Sequence, residues 1–196
     1  AGGWAEIRLA GEDESGGNRY GAAVATSGDR IVVGAPGEYV DPDGPVSPDP
    51  ECEFGAVPPC DPDCAAGGCL YDPCRLGKVH VHERGDAGNW PAIKLAPEGM
   101  SHCPTAPPGY GAALAMSGDR IVVGAVGSDS SNGLSRQTVH VYDPDGEGGW
   151  SEQVLRRDAD GIPNSFQDMF DRFGNAVAVS GDRIVVGDIG DDEGGT

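Results

Sequence analysis

Three Asp-x-Asp-Gly segments place carboxylates where they could do chemistry: Asp41 with Asp43, Asp143 with Asp145, and Asp158 with Asp160. A fourth cluster holds Asp188, Asp191, Asp192 and Glu193. Alternating carboxylates ahead of a glycine open many calcium loops, because Ca²⁺ gathers about six to eight oxygen ligands. The same residues are ordinary turn formers, and none of the segments completes an EF-hand-like run. Asp143, Asp145, Asp158, Asp160, Asp188, Asp191 and Asp192 are thus candidate calcium ligands, and Ca²⁺ is the cofactor they imply.

The cysteines are the second such group. Cys52, Cys60, Cys64, Cys69 and Cys74 crowd into one stretch, and Cys103 stands apart. An even number in a Pro/Gly/Asp-rich loop predicts disulfides and an oxidising compartment. Zinc is the alternative, but no C-x2-C pair is present. All six are expected to be oxidised, with Cys103 tying the stretch to the next connection. From Glu38 to Asp72 the chain carries nine Asp/Glu, no Lys or Arg and seven of its 16 prolines. That is too polar to form a core, so crosslinks would have to hold it. Insertions of this kind on one face of a repeat protein are common partner-binding sites.

His80 and His82 share one face of a strand pattern, which suits a metal, but the sequence shows no third ligand. His140 occupies the place equivalent to His80 in another repeat, which favours packing between repeats. Asp29-Arg30, Asp119-Arg120 and Asp182-Arg183 could be acid–base pairs, yet a catalytic site is one asymmetric constellation and these recur. No nucleophile–base pair, phosphate-cradling glycine loop or complete metal triad is apparent. A net charge of −19 opposes nucleic acid and anionic membrane surfaces. No apolar run approaches the roughly 20 residues that span a bilayer, so membrane insertion is not expected. The sequence begins at Ala1 without an initiator Met or a signal-peptide pattern, so processing, or excision from a longer chain, is expected.

The elements that must position these groups are set by a repeat. Gly-Asp-Arg-Ile-Val-Val-Gly occurs at Gly28–Gly34, Gly118–Gly124 and Gly181–Gly187. Upstream lie Tyr20-Gly21, Tyr110-Gly111 and Phe173-Gly174, each followed by small apolar residues and a Ser. Ser-Gly-Asp predicts a tight turn, and Ile-Val-Val a central strand buried on both faces. Val79-His80-Val81-His82 and Val139-His140-Val141-Tyr142 predict a third strand. Segments opening at Trp4, Trp90 and Trp150 predict a fourth. Spacings of 90 and 63 residues between equivalent serines place the excess of the first copy between Pro36 and Gly77. Four-stranded antiparallel units at this period predict an all-β fold made of β-propeller blades, since β-solenoid coils are shorter.

These residues resemble the FG-GAP repeat, the blade of integrin α-subunit propellers and of many secreted bacterial proteins. Phe173-Gly174 matches the "FG" and Gly34-Ala35-Pro36 the "GAP"; the bacterial type looks nearest. The resemblance implies one propeller region over 1–196. It comprises a lone Trp strand at 4–10, a blade at 20–95 with a Cys-rich insertion at 37–76, a blade at 110–155 and a partial blade at 173–188. The integrin-type calcium turn is not carried over, because Ser-Gly-Asp-Arg supplies a single carboxylate. The expected role is a non-enzymatic secreted or cell-surface module that binds a protein or glycan. A filament subunit assembled head to tail is the second expectation, and a propeller-based carbohydrate-active enzyme the third. Three blades do not close a ring, so further blades, or other copies completed by Trp4–Ala10, are expected partners.

Overall fold

The computed structural model describes residues 6–11, 17–38, 77–97, 109–126, 137–156 and 172–189, and every regular element among them is a strand. Each copy of the heptapeptide folds as a hairpin. β1 (Val24–Ser27) turns into β2 (Arg30–Ala35), β5 (Tyr110–Ser117) into β6 (Arg120–Ala125), and β9 (Ala176–Ser180) into β10 (Arg183–Gly187). Gly28, Gly118 and Gly181 open the three turns at φ of 58°, 59° and 56°. A Cβ disfavours that left-handed region, and two-residue hairpins require it. Ser and Arg close each turn as register partners.

The first two copies continue through β3 (Lys78–Glu83) and β4 (Ala92–Leu95), and through β7 (Thr138–Pro144) and β8 (Trp150–Arg156). Strand order is β1-β2-β3-β4 in one sheet and β5-β6-β7-β8 in the next, with every neighbour antiparallel; β9 and β10 form a third, two-stranded sheet. These are β-propeller blades, here called blade 1, blade 2 and the third blade. Contacts between them run from β1 and β2 to β5, and from β5 and β6 to β9.

Period-two alternation sorts the side chains onto the two faces of each blade. Val32 and Val81, register partners in blade 1, pack with Ile121, Val123 and Tyr142 of blade 2. On the other face of blade 2, Val122, Val139 and Val141 meet Phe173, Val177, Val179, Ile184 and Val186 of the third blade. Burying each Val or Ile fully contributes about 1.5–3 kcal/mol, so these two seams hold the array together. The Ile-Val-Val strand is central and buried in blade 2, as its composition predicts. In the third blade the equivalent Val185 is 65% exposed, while Val32 and Val122 are at 0%.

The segment expected to pair outside these blades has no strand partner among the described residues. The lone Trp strand placed at 4–10 is described only from Glu6 onward, and Glu6–Ala10 carry no strand there. Alternation makes a segment able to pair, but a strand exists only through ladder bonds to a neighbour, and this one pairs with none of the ten strands described. Gly11 instead lies against the Tyr20 ring, 3.1 Å from where its Cβ would stand.

Candidate functional site

Because the repeated residues hold most of the chemistry, the joints between blades show what that chemistry does. The closest joint is backbone on backbone. A Cβ on Gly34 would stand 2.0 Å from the carbonyl oxygen of Gly111, and one on Gly124 would stand 2.1 Å from that of Gly174. No side chain can yield there, since both atoms belong to the main chain. The final glycine of one heptapeptide therefore seats the aromatic-Gly pair of the next blade. Within a blade the same two positions are bonded, Gly21 N–H to Gly34 O at 2.9 Å and Gly174 N–H to Gly187 O at 3.0 Å.

The Asp-Arg pairs form the second joint. Arg30 donates to Glu83 of its own blade from Nε at 2.8 Å, and to Asp119 of blade 2 from Nη1 at 2.7 Å. Arg120 repeats this one blade on: it grips Asp143 with Nε and Nη2 at 2.8 and 3.1 Å and lies 3.7 Å from Asp182 of the third blade. Hydrogen bonding to Asp143 holds the Arg120 guanidinium above its usual range. Arg30 also lies over the Trp150 ring, 5.1 Å from its centre. A cleft of about 340 Å³ at this end is lined by Asp29, Arg30, Glu83, Arg84 and Asp119 among others. Its guanidiniums are already paired with its carboxylates.

The histidines hold the most polar ground, and their bonds run within each blade rather than between blades. In blade 2, His140 Nδ1–H donates to Glu152 at 2.7 Å, which leaves Nε2 to accept from Thr138 Oγ1 at 2.8 Å. Tyr110 donates to Tyr142 at 2.7 Å, and Tyr142 to the same Glu152 oxygen at 2.5 Å. Burial pushes both phenols far above their ordinary range. In blade 1, His82 Nδ1–H donates to Trp90 O at 3.1 Å, so Nε2 accepts from Tyr20 at 2.7 Å. His80 Nε2–H donates to Glu38 at 2.5 Å. Each tyrosine meets its histidine edge-on, Tyr20 with His80 and Tyr110 with His140, both at 5.1 Å between ring centres.

Glu38 is 1% exposed and is the carboxylate of blade 1. Its other oxygen lies 3.5 Å from Lys78 Nζ and 3.5 Å from Lys94 Nζ and makes no hydrogen bond. Burial would raise this carboxyl. The His80 hydrogen bond, with the charges of His80, Lys78 and Lys94, outweighs it and leaves Glu38 below the ordinary value of 4.5.

Of the candidate calcium ligands, Asp143 is gripped by Arg120, and Asp145 caps its own turn by accepting from the amides of Glu147 and Gly149, both at 2.8 Å. Those amide bonds hold Asp145 below the usual carboxylate range. Asp188 accepts from the Arg172 amide at 3.0 Å. Asp158, Asp160, Asp191, Asp192 and all six cysteines lie outside the described residues. Among the described residues, no three His, Cys, Asp or Glu converge to hold a metal. No described helix is long and apolar enough to cross a membrane.

A family model for the FG-GAP repeat matches residues 4–47 and 168–196. Those two segments are FG-GAP repeats. No curated protein matches it. Blade 2, between the matched segments, has the same turn, strand order and glycine seat, so geometry carries the FG-GAP pattern across the described chain. The FG glycine and the GAP glycine are the two halves of one joint. FG-GAP repeats fit an integrin-α-type propeller module, a kind that is generally non-enzymatic and typical of extracellular or surface proteins.

Two functional groups escaped sequence reasoning. Glu38 reads as the first acid of an acidic insertion, and Glu152 as one residue of the segment opening at Trp150. A signal existed: Lys78, His80 and Lys94 share one face, with no acid in register to neutralise them.

Proposed function

We propose that this protein is a non-enzymatic binding or adhesion module, secreted or held at the cell surface. Its recognition element would be the insertion that leaves blade 1 after Glu38 and returns at Gly77. One observation carries this. The polar side chains of the described blades pair in arrangements that recur from blade 1 to blade 2, within blades or across the Asp-Arg joints, and the acidic, Cys-rich insertion does not recur. A fold is no guide to ligand, but a non-repeated excursion on a repeated frame is where specificity has room to differ.

The test compares the full chain with a variant whose residues 39–76 are replaced by a short Gly-Ser turn, on a glycan array and a panel of extracellular-matrix proteins. Binding by the full chain that is lost in the variant supports the proposal. Equal binding by both, binding by neither, or release of product from a polysaccharide counts against it.

A second reading rests on Val185, exposed where its two counterparts are covered by the next blade. This supports docking of a further blade there, from a longer polypeptide or from another copy joined head to tail. A monomer at all concentrations, with V185D leaving its melting temperature and its size unchanged, would count against it.

A further inference from the structure

The connection between β2 and β3 is the place where blade 1 departs from blade 2, and both ends of its neck are described. At the outgoing end, Glu38 N–H bonds to Ala35 O at 3.0 Å and Gly37 N–H to Asn18 O at 2.9 Å. At the returning end, Gly77 N–H bonds to Glu38 O at 3.0 Å, which closes the neck on itself. Space there is tight: a Cβ on Gly77 would stand 2.3 Å from Tyr110 O and 2.9 Å from Pro36 Cα. The residue at this closure is also the one whose side chain is driven inward. A carboxylate is rarely buried unless paired, and Glu38 finds His80, Lys78 and Lys94 on the β3–β4 face.

We propose that Glu38 is a charge latch, its carboxylate clamping the neck of the 39–76 insertion onto β3 and β4, so that acid frees the insertion's attachment before it loosens the blades. The reasoning needs no assumption about what the insertion binds. Breaking a buried ion pair from one side leaves uncompensated charge, and here the charge left behind is that of the two lysines. The groups facing Glu38 are His80 and Lys78 on β3, Lys94 on β4, and Tyr20 ahead of β1, with His82 one step further through the Tyr20 hydroxyl. The two lysines are cationic, so protonating Glu38 removes the one negative partner they face. The buried packing between blades rests on Val, Ile and main-chain contacts that do not titrate, and the Asp119 and Asp182 carboxylates that join blades are largely solvated and add little.

The experiment is amide hydrogen exchange on the full chain, read at Gly37, residue 38 and Gly77 against β5–β8. In E38Q and E38A the three neck amides should lose protection by about tenfold or more, with β5–β8 unchanged. E152Q should do the reverse, loosening blade 2 and leaving the neck protected. If E38A does not fold, the wild-type chain still decides. As pH falls below about 4.5 the neck amides should lose protection before β5–β8. Unchanged neck protection in both Glu38 variants, or joint loss of protection in the neck and blade 2 on acidification, overturns the proposal.

Discussion

Blades 1 and 2 build the same polar slot with carboxylates from different parts of the chain. In both, the tyrosine of the aromatic-Gly pair sits edge-on to a buried histidine and bonds to the side chain two residues beyond it. In blade 2 the histidine's carboxylate is Glu152 on β8, the register partner of Tyr142. In blade 1 that register position is Ala92, opposite His82, and the acid comes from Glu38 at the end of the GAP turn. The repeat thus sets the slot and its need for an acceptor. Which element fills it is local. That freedom lets blade 1 tie its long insertion down with the same group that satisfies its histidine.

The largest effect should come from what the two blades share. Gly34→Ala and Gly124→Ala put a methyl against a main-chain oxygen and should each cost about 3 kcal/mol or more, seen as a large fall in melting temperature. Gly187→Ala is the internal control. Its Cβ would meet nothing nearer than the Ala176 methyl at 3.3 Å, so its melting curve should stay near wild type. Equal effects at all three positions would break the idea that the glycine serves the next blade.

Next come the carboxylates. Glu152→Ala leaves His140 and Tyr142 without their acceptor and should cost about 3 kcal/mol. The comparison sharpens if the acid is moved: adding Ala92→Glu to E38Q restores a carboxylate where blade 2 keeps its own, and should recover about 1 kcal/mol of melting stability. The pH dependence follows from Glu38. Its folded carboxyl lies below 4.5, so its stabilisation is complete above that value and fades as pH falls through the lower, folded value. Wild type should lose more stability than E38Q on acidification below about pH 4.5.

How much of this was legible depended on whether a feature is local. The hairpin turns were, because Ser-Gly-Asp-Arg specifies its own geometry. The central strands were, because Ile-Val-Val fits burial on both faces. Asp-Arg as blade-building chemistry followed from recurrence, and the Arg30–Asp119 contact shows the form it takes. Glu38 and Glu152 were not legible, since their partners are set by register and by a chain reversal that no spacing encodes. Over 6–10 alternation states which side would face in, not which strand would pair with it, and none of the described strands does.

Smaller effects belong to the exposed joints. Arg30→Gln or Asp119→Asn should cost about 0.5 kcal/mol, because Asp119 is largely solvated. Smallest is calcium at the Asp143–Asp145 turn. Both side chains already have partners, so D145N should lower the melting temperature slightly and equally with EDTA or millimolar calcium. A calcium-dependent rise in melting temperature that D145N abolishes would place the ion at this turn after all.

The most direct test uses the three identical Gly-Asp-Arg-Ile-Val-Val-Gly segments as probes within one molecule. Their intrinsic exchange rates are the same, so any difference in protection reports the surrounding blades. Amide exchange should be slowest in the copy at 118–124, which has a blade on either side, and fastest by about a hundredfold or more at 181–187, where Val185 is bare. Equal protection in all three copies, or the greatest protection in the third, would contradict the account.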